Sequence, residues 1–371
     1  MQILQSLLLA AVLGAPAVYA SEIVVGQVAP LSGLEAGQGR AYAAGMHLLF
    51  DSVNKAGGAR GHTFTVVSLD DGGTPEETVR LTKQLLAEHR PTVLAGYVGS
   101  RNITQLLASG VLEGERIALV GYRSPEIRAE APYLYNVRAS LGDEINKLTE
   151  HLATIGINRL GLLYEQGPGA APLVAAADAA AQKGRATIIA KAGYPAGGTS
   201  MDAAVEAFMK APPQAIIMVT SGSAAAAFIE QYRAAGGAAQ LFAHSGTDIE
   251  QLSKRLAEEQ MQGVAIAQVT PSPYKISVRL TKEFSDLVAR APNLQGLVSY
   301  TMLEGYIAAK VIVEAARRQG AQPSREGMAA ALDAMDGYDL GGYLVGFKPG
   351  MRTGSRFVEL SIVSASGRIR Q

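Results

Sequence analysis

The residues best suited to chemistry stand in short small-and-polar stretches that interrupt apolar runs. In 94–104, LAGYVGSRNIT, an apolar run breaks at Gly99-Ser100-Arg101-Asn102 and resumes at helical spacing. A loop of this kind, between a buried strand and a helix, suits a phosphate, a catalytic serine or a small carboxylate. The reason is common to all three: a helix N-terminus offers unpaired N–H groups and the positive end of the dipole. Ser100 adds a hydroxyl, although a serine or asparagine there can equally serve only to cap the helix. Similar stretches are Gly121-Tyr122-Arg123-Ser124-Pro125, Gly167-Pro168-Gly169, Thr220-Ser221-Gly222-Ser223 and His244-Ser245, with Gln38 ahead of a helix. Arg123 would bring a fork of donors that stays charged at any working pH. It either points into a cleft or reaches solvent and pairs with Glu126. His244, just past a strand, is either a ligand contact or an inert loop residue.

Motifs that would turn such loops into a catalyst are missing. GQGRAYAAG from Gly37 has the first two glycines of a dinucleotide fingerprint but Tyr42 in place of the third. No phosphate-loop G-x-x-x-x-G-K-[ST], no H-E-x-x-H and no G-x-S-x-G elbow occurs. The 5 histidines, His47, His62, His89, His151 and His244, show no metal-ligand spacing, and there is no cysteine to act as nucleophile or thiolate ligand. Asp70-Asp71 are adjacent, so on a strand they face opposite ways; turn formation or capping suits them better than paired acid–base work. No catalytic residue, metal or cofactor is therefore expected. Binding is the reading.

The elements that must position these loops alternate. Glu22–Pro30, Thr63–Leu69, Thr92–Tyr97 and Ile117–Val120 read as strands, separated by helices at Gly39–Asn54, Pro75–Glu88 and Ile103–Leu112. A second series has strands at Arg159–Tyr164, Ala186–Ala190, Ala215–Val219 and Gln240–Ala243, with helices at Ala171–Gln182, Ser200–Met209 and Ala224–Ala234. Long helices at Lys275–Arg290 and Leu294–Arg318 follow, then strands at Gly342–Phe347 and Phe357–Val363. Two βα series in one chain of 371 residues predict an α/β protein of two parallel-sheet lobes with a cleft between them. Ligands then sit at strand carboxyl ends, where strand order reverses.

Composition narrows the class. Lys+Arg and Asp+Glu are both 33, and no block of like charge occurs, which argues against a nucleic-acid surface. Met1–Ala20 has an apolar centre and small residues at Val18-Tyr19-Ala20, the pattern of a secretory signal cleaved after Ala20 and too interrupted to span a membrane well. The expectation is an exported, soluble, monomeric protein that rests on its core without disulfides.

The stretch Val25–Arg80 resembles the opening of the leucine/isoleucine/valine-binding protein family, the type I periplasmic solute receptors of ABC importers. Its distinctive parts are Pro30-Leu31-Ser32-Gly33, Asn54-Lys55-Ala56-Gly57-Gly58 and Asp70-Asp71; Tyr135–Ser140 leading into Asp143-Glu144 resembles the first crossover between lobes. The resemblance implies two Rossmann-like lobes joined by three crossover segments, closing on one small molecule, and a membrane permease as partner. It places 21–139 plus 266–340 in the first lobe and 140–265 plus 341–371 in the second, with hinges near Arg138–Gly142, Ala265–Val269 and Gly341–Tyr343. It also implies that Ser100, with the Arg101 and Asn102 backbone, binds an amino-acid carboxylate, faced by Gly121, Tyr122 and Arg123.

The chain departs from that pattern at four places. Arg123 stands where amino-acid binders carry threonine, and His244-Ser245 where they carry an acid for the ammonium. Small residues around Gly167 and at Ser221 and Ser223 replace flanking tyrosines, and Gln38 replaces an aromatic. The ligand is thus expected to be a small carboxylate or a hydrophobic or branched-chain amino acid. If Arg123 enters the cleft with no acid facing it, the site should favour a carboxylate lacking the amine. Tyr97 and Tyr122 would then line a roomier pocket or, alternatively, belong to the core. Transport and ligand sensing on the same fold are both compatible with these residues.

Overall fold

The computed structural model describes residues 21–370 except 125, 127–129, 293, 295, 297 and 364–368. The proposed signal segment, 1–20, lies outside the described residues. Five parallel strands build the first lobe: β1 (Glu22–Ala29), β2 (Thr63–Asp70), β3 (Val93–Val98), β4 (Leu119–Arg123) and β5 (Leu134–Tyr135), in the order β2-β1-β3-β4-β5. Helices α1 (Ala36–Lys55), α2 (Pro75–His89), α3 (Ser100–Ala108) and α4 (Val111–Gly114) connect them. β3, VLAGYV, is buried at every position, as a parallel strand covered on both faces requires.

The second lobe runs through α5 (Leu141–Thr154), β6 (Arg159–Glu165), α6 (Ala170–Lys183), β7 (Thr187–Tyr194), α7 (Asp202–Lys210), β8 (Ala215–Val219), α8 (Gly222–Ala234), β9 (Gln240–Ala243), α9 (Ile249–Arg255), α10 (Glu258–Met261) and β10 (Ala265–Gln268). The chain then returns to the first lobe with α11 (Arg279–Ala289), α12 (Tyr300–Arg317), α13 (Arg325–Asp333) and a small hairpin of β11 (Tyr338–Asp339) and β12 (Leu344–Val345). β13 (Glu359–Val363) and β14 (Ile369–Arg370) complete a second sheet in the order β14-β13-β10-β9-β8-β6-β7, antiparallel at the β13 and β14 edge. α12 presses closely on α1. A Cβ on Gly45 would fall 1.9 Å from the Met302 carbonyl oxygen, and one on Gly305 would fall 2.1 Å from that of Tyr42.

The fold class expected from the sequence is the one observed, with three shifts of detail. β4 extends through Arg123, so Arg123 ends a strand instead of sitting in the loop beyond it. β10 lies wholly in the second sheet, so residues 266–268 belong there and the second crossing falls after Gln268. Residues from Gly341 do not open the second lobe: Leu340, Tyr343, Val345 and Phe347 bury their side chains in the first-lobe core. The last crossing therefore lies between Phe347 and Glu359. Apolar side chains, not the turn glycines, decide where the lobe ends.

Strand order reverses between β1 and β3 in one sheet and between β6 and β8 in the other. The carboxyl ends of these four strands face one another, and the candidate site lies among them.

Candidate functional site

A cavity of about 380 Å³ separates the lobes, lined from the first by Pro30, Glu35, Gln38, Gly99–Asn102, Arg123 and Ser124, and from the second by Glu165, Gly197, Ser221, Ser223 and Gly246. On the first-lobe wall the N-cap of α3 is Gly99, at φ 108°, and no side chain caps the helix. A side chain at this position is disfavoured twice over: by the positive φ, and by Asn102 Oδ1, which lies 2.5 Å from where a Cβ would be and would have to move. Ser100 is thus the first residue of the helix and not its cap. Its Oγ lies 3.2 Å from Ser124 Oγ. First-turn amides of a helix have no intrahelical acceptor, so this end presents donors toward the cavity.

The Asn102 side chain turns away from the cavity and anchors the helix start. Its Nδ2 donates to Thr78 Oγ1 at 2.7 Å and to Asp71 Oδ2 at 3.3 Å. Burial pushes the Asp71 carboxyl up, against the hydrogen bonds from Thr78, the Gly73 amide and Asn102. Asp70 accepts from the Leu31 and Ser32 amides, at 2.8 and 3.2 Å. The Asp70-Asp71 pair thus shapes the turns that carry the wall, as its spacing suggested.

The floor is an ionic network. Arg123, 3% exposed, pairs with Glu304 of α12, and its Nε donates to Gln38 Oε1 at 2.9 Å. It also donates to the Ser245 carbonyl at 2.9 Å, across the lobes. Arg138, on the first crossover, joins Glu304 at 3.3 Å and Glu144 of α5 at 2.8 Å, and donates to Ser245 Oγ. Glu144 accepts in turn from the Ser245 amide at 2.7 Å. Burial by itself would lower the Arg138 pKa; Glu304 and Glu144 outweigh it and raise it. Two arginines and two glutamates balance, and every charge has a partner.

Glu35, the half-buried N-cap residue of α1, reaches the opposite wall. Its Oε1 accepts from Ser223 Oγ at 3.0 Å and from the Ser223 amide at 3.4 Å, at the start of α8. Its Oε2 accepts from Gln38 Nε2 at 2.8 Å. Gln38 also donates to the Gly246 carbonyl at 3.3 Å, so one buried amide joins floor and wall. Ser221 caps α8 by accepting from the Ala224 amide, 3.3 Å. At the mouth, Arg101 pairs with Glu165 across the lobes at 3.9 Å.

Of the residues singled out from sequence, Gln38, Ser100, Arg101, Asn102, Arg123, Ser221 and Ser223 line this cavity. Gly121, Tyr122, Gly167, His244 and Ser245 do not. A Cβ at Gly121 would sit 2.0 Å from Tyr42 Oη, beneath the sheet. Tyr122 and Tyr97 pack into a first-lobe core cluster, Tyr97 bonded to Thr82 Oγ1 at 3.0 Å. The His244 ring bonds the Thr220 carbonyl at 2.9 Å and takes the Gly246 amide at 3.0 Å; burial holds its pKa below the usual value. Ser245 is spent in the ionic network. Arg123 does reach the cavity, but the expectation that it stands there without an acid is overturned by Glu304, 181 residues away in sequence. Pairing of Arg123 with Glu126 is replaced by that same contact.

Glu304 and Glu35 escaped the sequence reading, as did Glu165 at the mouth. Glu304 is the lone acid in the apolar, buried start of α12, YTMLEGYIAA, and a charge within such a stretch is a signal of a buried partner. Glu35 gives no such signal, because acids before helices are ordinary caps.

The description of one protein family, periplasmic binding protein, matches residues 22–358. The chain belongs to that family. It is 22% identical over 344 residues to a Leu/Ile/Val-binding protein homologue of Brucella abortus, covering 88% of this chain and 84% of the relative. Among solved structures, a substrate-binding periplasmic protein from Ralstonia solanacearum is 34% identical with a TM-score of 0.87, covering 94% of this chain and 99% of that one. A branched-chain amino acid transporter substrate-binding protein from Streptococcus pneumoniae, solved with isoleucine, shares the fold at TM-score 0.78 and 17% identity over 95% of this chain and 98% of its own. The resemblance read from Val25–Arg80 thus holds at the level of the family.

Proposed function

We propose that this protein is the exported solute receptor of an ABC importer, a binding protein and not an enzyme. It acts as a monomer in the periplasm after cleavage at Ala20 and delivers a small carboxylate, amino acids included, to a membrane permease. The observation that carries this reading is the uncapped start of α3, with the Ser100–Ser124 hydroxyl pair beside it, opening into a cavity between two lobes. A carboxylate needs several donors at once, and this wall offers helix amides and hydroxyls together.

A thermal-shift screen with amino acids and short carboxylates tests the ligand class, since a ligand that binds only the folded protein raises its melting temperature. With the best ligand, Ser100→Ala should lose roughly 10- to 100-fold in affinity by calorimetry, as expected for one hydrogen bond to a charged group. The melting temperature of the ligand-free variant should stay nearly unchanged, because Ser100 does not cap α3. Unchanged affinity would remove Ser100 from the site. The three crossings predict hinge closure as well: small-angle scattering should show a smaller radius of gyration at saturating ligand.

A further inference from the structure

We infer that Glu35 is the specificity-determining acid of the cleft: it receives the cationic group of the ligand, in place of an acid on the second lobe. The inference rests on the carboxylate-first reading proposed above and names what the other end of the ligand must carry. It follows from where charge is already spent. Arg123 and Arg138 are neutralised by Glu304 and Glu144. Arg101 and Glu165 face each other at the mouth. The position after β9, where an acid would come from the second lobe, holds His244 and Ser245, both bonded inward. Of the carboxylates lining the cavity, Glu35 is the one whose partners are all neutral: an amide side chain, a hydroxyl and a backbone N–H.

A carboxylate has about four acceptor positions, and these contacts leave room for a further donor. The neighbouring groups hold it in place. Gln38 is buried and fixed by Arg123, so it orients Oε2, while Ser223 orients Oε1 from the other lobe. A protonated amine brought in with the ligand would meet a prepared anion instead of bare hydroxyls. The same carboxylate would repel a second anionic group. The ligand class is therefore a zwitterion, with its carboxylate at the start of α3 and its ammonium at Glu35. This reverses the preference for an amine-free acid that an unpaired Arg123 would have given.

The alternative is that Glu35 only ties the lobes together through Ser223. The two roles differ in one readout, the ratio of affinities for an amino acid and its matching oxo acid. Calorimetry of the full set of amino acids and their oxo acids on the intact protein should show the amino acid favoured by at least roughly 30-fold. Glu35→Gln should bring that ratio to within about threefold, with the oxo acid bound as before, and Glu35→Asp should restore part of it. Equal weakening of both partners by Glu35→Gln would mean a tie between lobes and nothing more, and the inference falls while the carboxylate reading stands. Tighter binding of oxo acids by the unaltered protein also overturns it. If no compound of either series binds, or if Ser100→Ala leaves both partners untouched, the carboxylate reading fails and the inference goes with it.

Discussion

The cleft floor and the cleft wall treat charge in opposite ways. On the floor, Arg123, Arg138, Glu144 and Glu304 are all buried and answer one another. On the wall, Glu35 is half-buried and answered by neutral donors from Gln38 and Ser223. A paired charge in a dry interior is committed to the fold, because removing its partner strands it there. A carboxylate held by neutral groups beside a cavity keeps its charge available to a ligand. The contrast separates structure from recognition within a few residues of one cavity. Gln38 touches both regions, so recognition on the wall is braced by the ionic floor.

The largest effect expected from breaking this contrast is on the floor. Glu304→Gln should destabilise the ligand-free protein by roughly 3–5 kcal/mol, the cost of leaving buried charge unpaired, read from urea denaturation. Glu35→Gln should change the same measurement by less than about 1 kcal/mol. Equal losses would erase the distinction between floor and wall.

A middle-sized effect is expected at Glu250, a second carboxylate answered by neutral groups. It accepts from Tyr274 Oη at 2.6 Å and the Tyr300 amide at 2.9 Å, where α9 meets the start of α12. Burial, then the neighbouring Asp248 carboxylate, pushes its pKa up to about 7. An acid with a raised folded-state pKa binds its proton more tightly folded than unfolded, so stability falls as pH rises from about 4.5 through 7. Glu250→Gln should therefore stabilise the protein at pH near 8 by on the order of 1–2 kcal/mol, read as a higher melting temperature, and leave stability unchanged near pH 4. A difference independent of pH would mean that the carboxyl does not titrate in that window.

The smallest effect belongs to the mouth. Arg101 is exposed, Glu165 is half-buried and the two are 3.9 Å apart, so Arg101→Ala should cost no more than about 0.5–1 kcal/mol of stability and less at high salt. Melting curves at low and high ionic strength check this. A larger, salt-independent loss would move Arg101 from the rim to the floor in kind.

How far these features could be read from sequence follows the range of the interactions that make them. The turn that carries Ser100 was legible because a small-and-polar break between a buried strand and a helix is a local pattern, complete within Leu94–Thr104; that the helix begins at Ser100 and not at Ile103 came only from the structure. The lobes were legible for the same reason, since period-two and helical apolar runs announce strands and helices. The end of the first lobe was misplaced because Gly341 and Gly342 look like a turn, and a turn does not say which core the following residues enter. The surroundings of Arg123 were misjudged because Glu304 lies on α12, far along the chain from β4, and reaches it only once α12 packs on α1 through Gly45 and Gly305. His244 and Ser245 look like cleft residues, yet their donors and acceptors are consumed by Thr220, Gly246 and Glu144.

By itself the sequence determined the two-lobed α/β plan, the family and the strand-to-helix turn at Gly99–Asn102, all of which rest on local periodicity, turn residues and motif spacing. Tertiary structure decided which charges are spent and which remain for a ligand. Ion pairing depends on separation in space and on burial, and neither is set by neighbouring residues in the chain. Arg123 and Glu304 are neutralised by packing that brings α12 against the end of β4, and Glu35 acquires its second set of donors when Ser223 of the other lobe comes within reach.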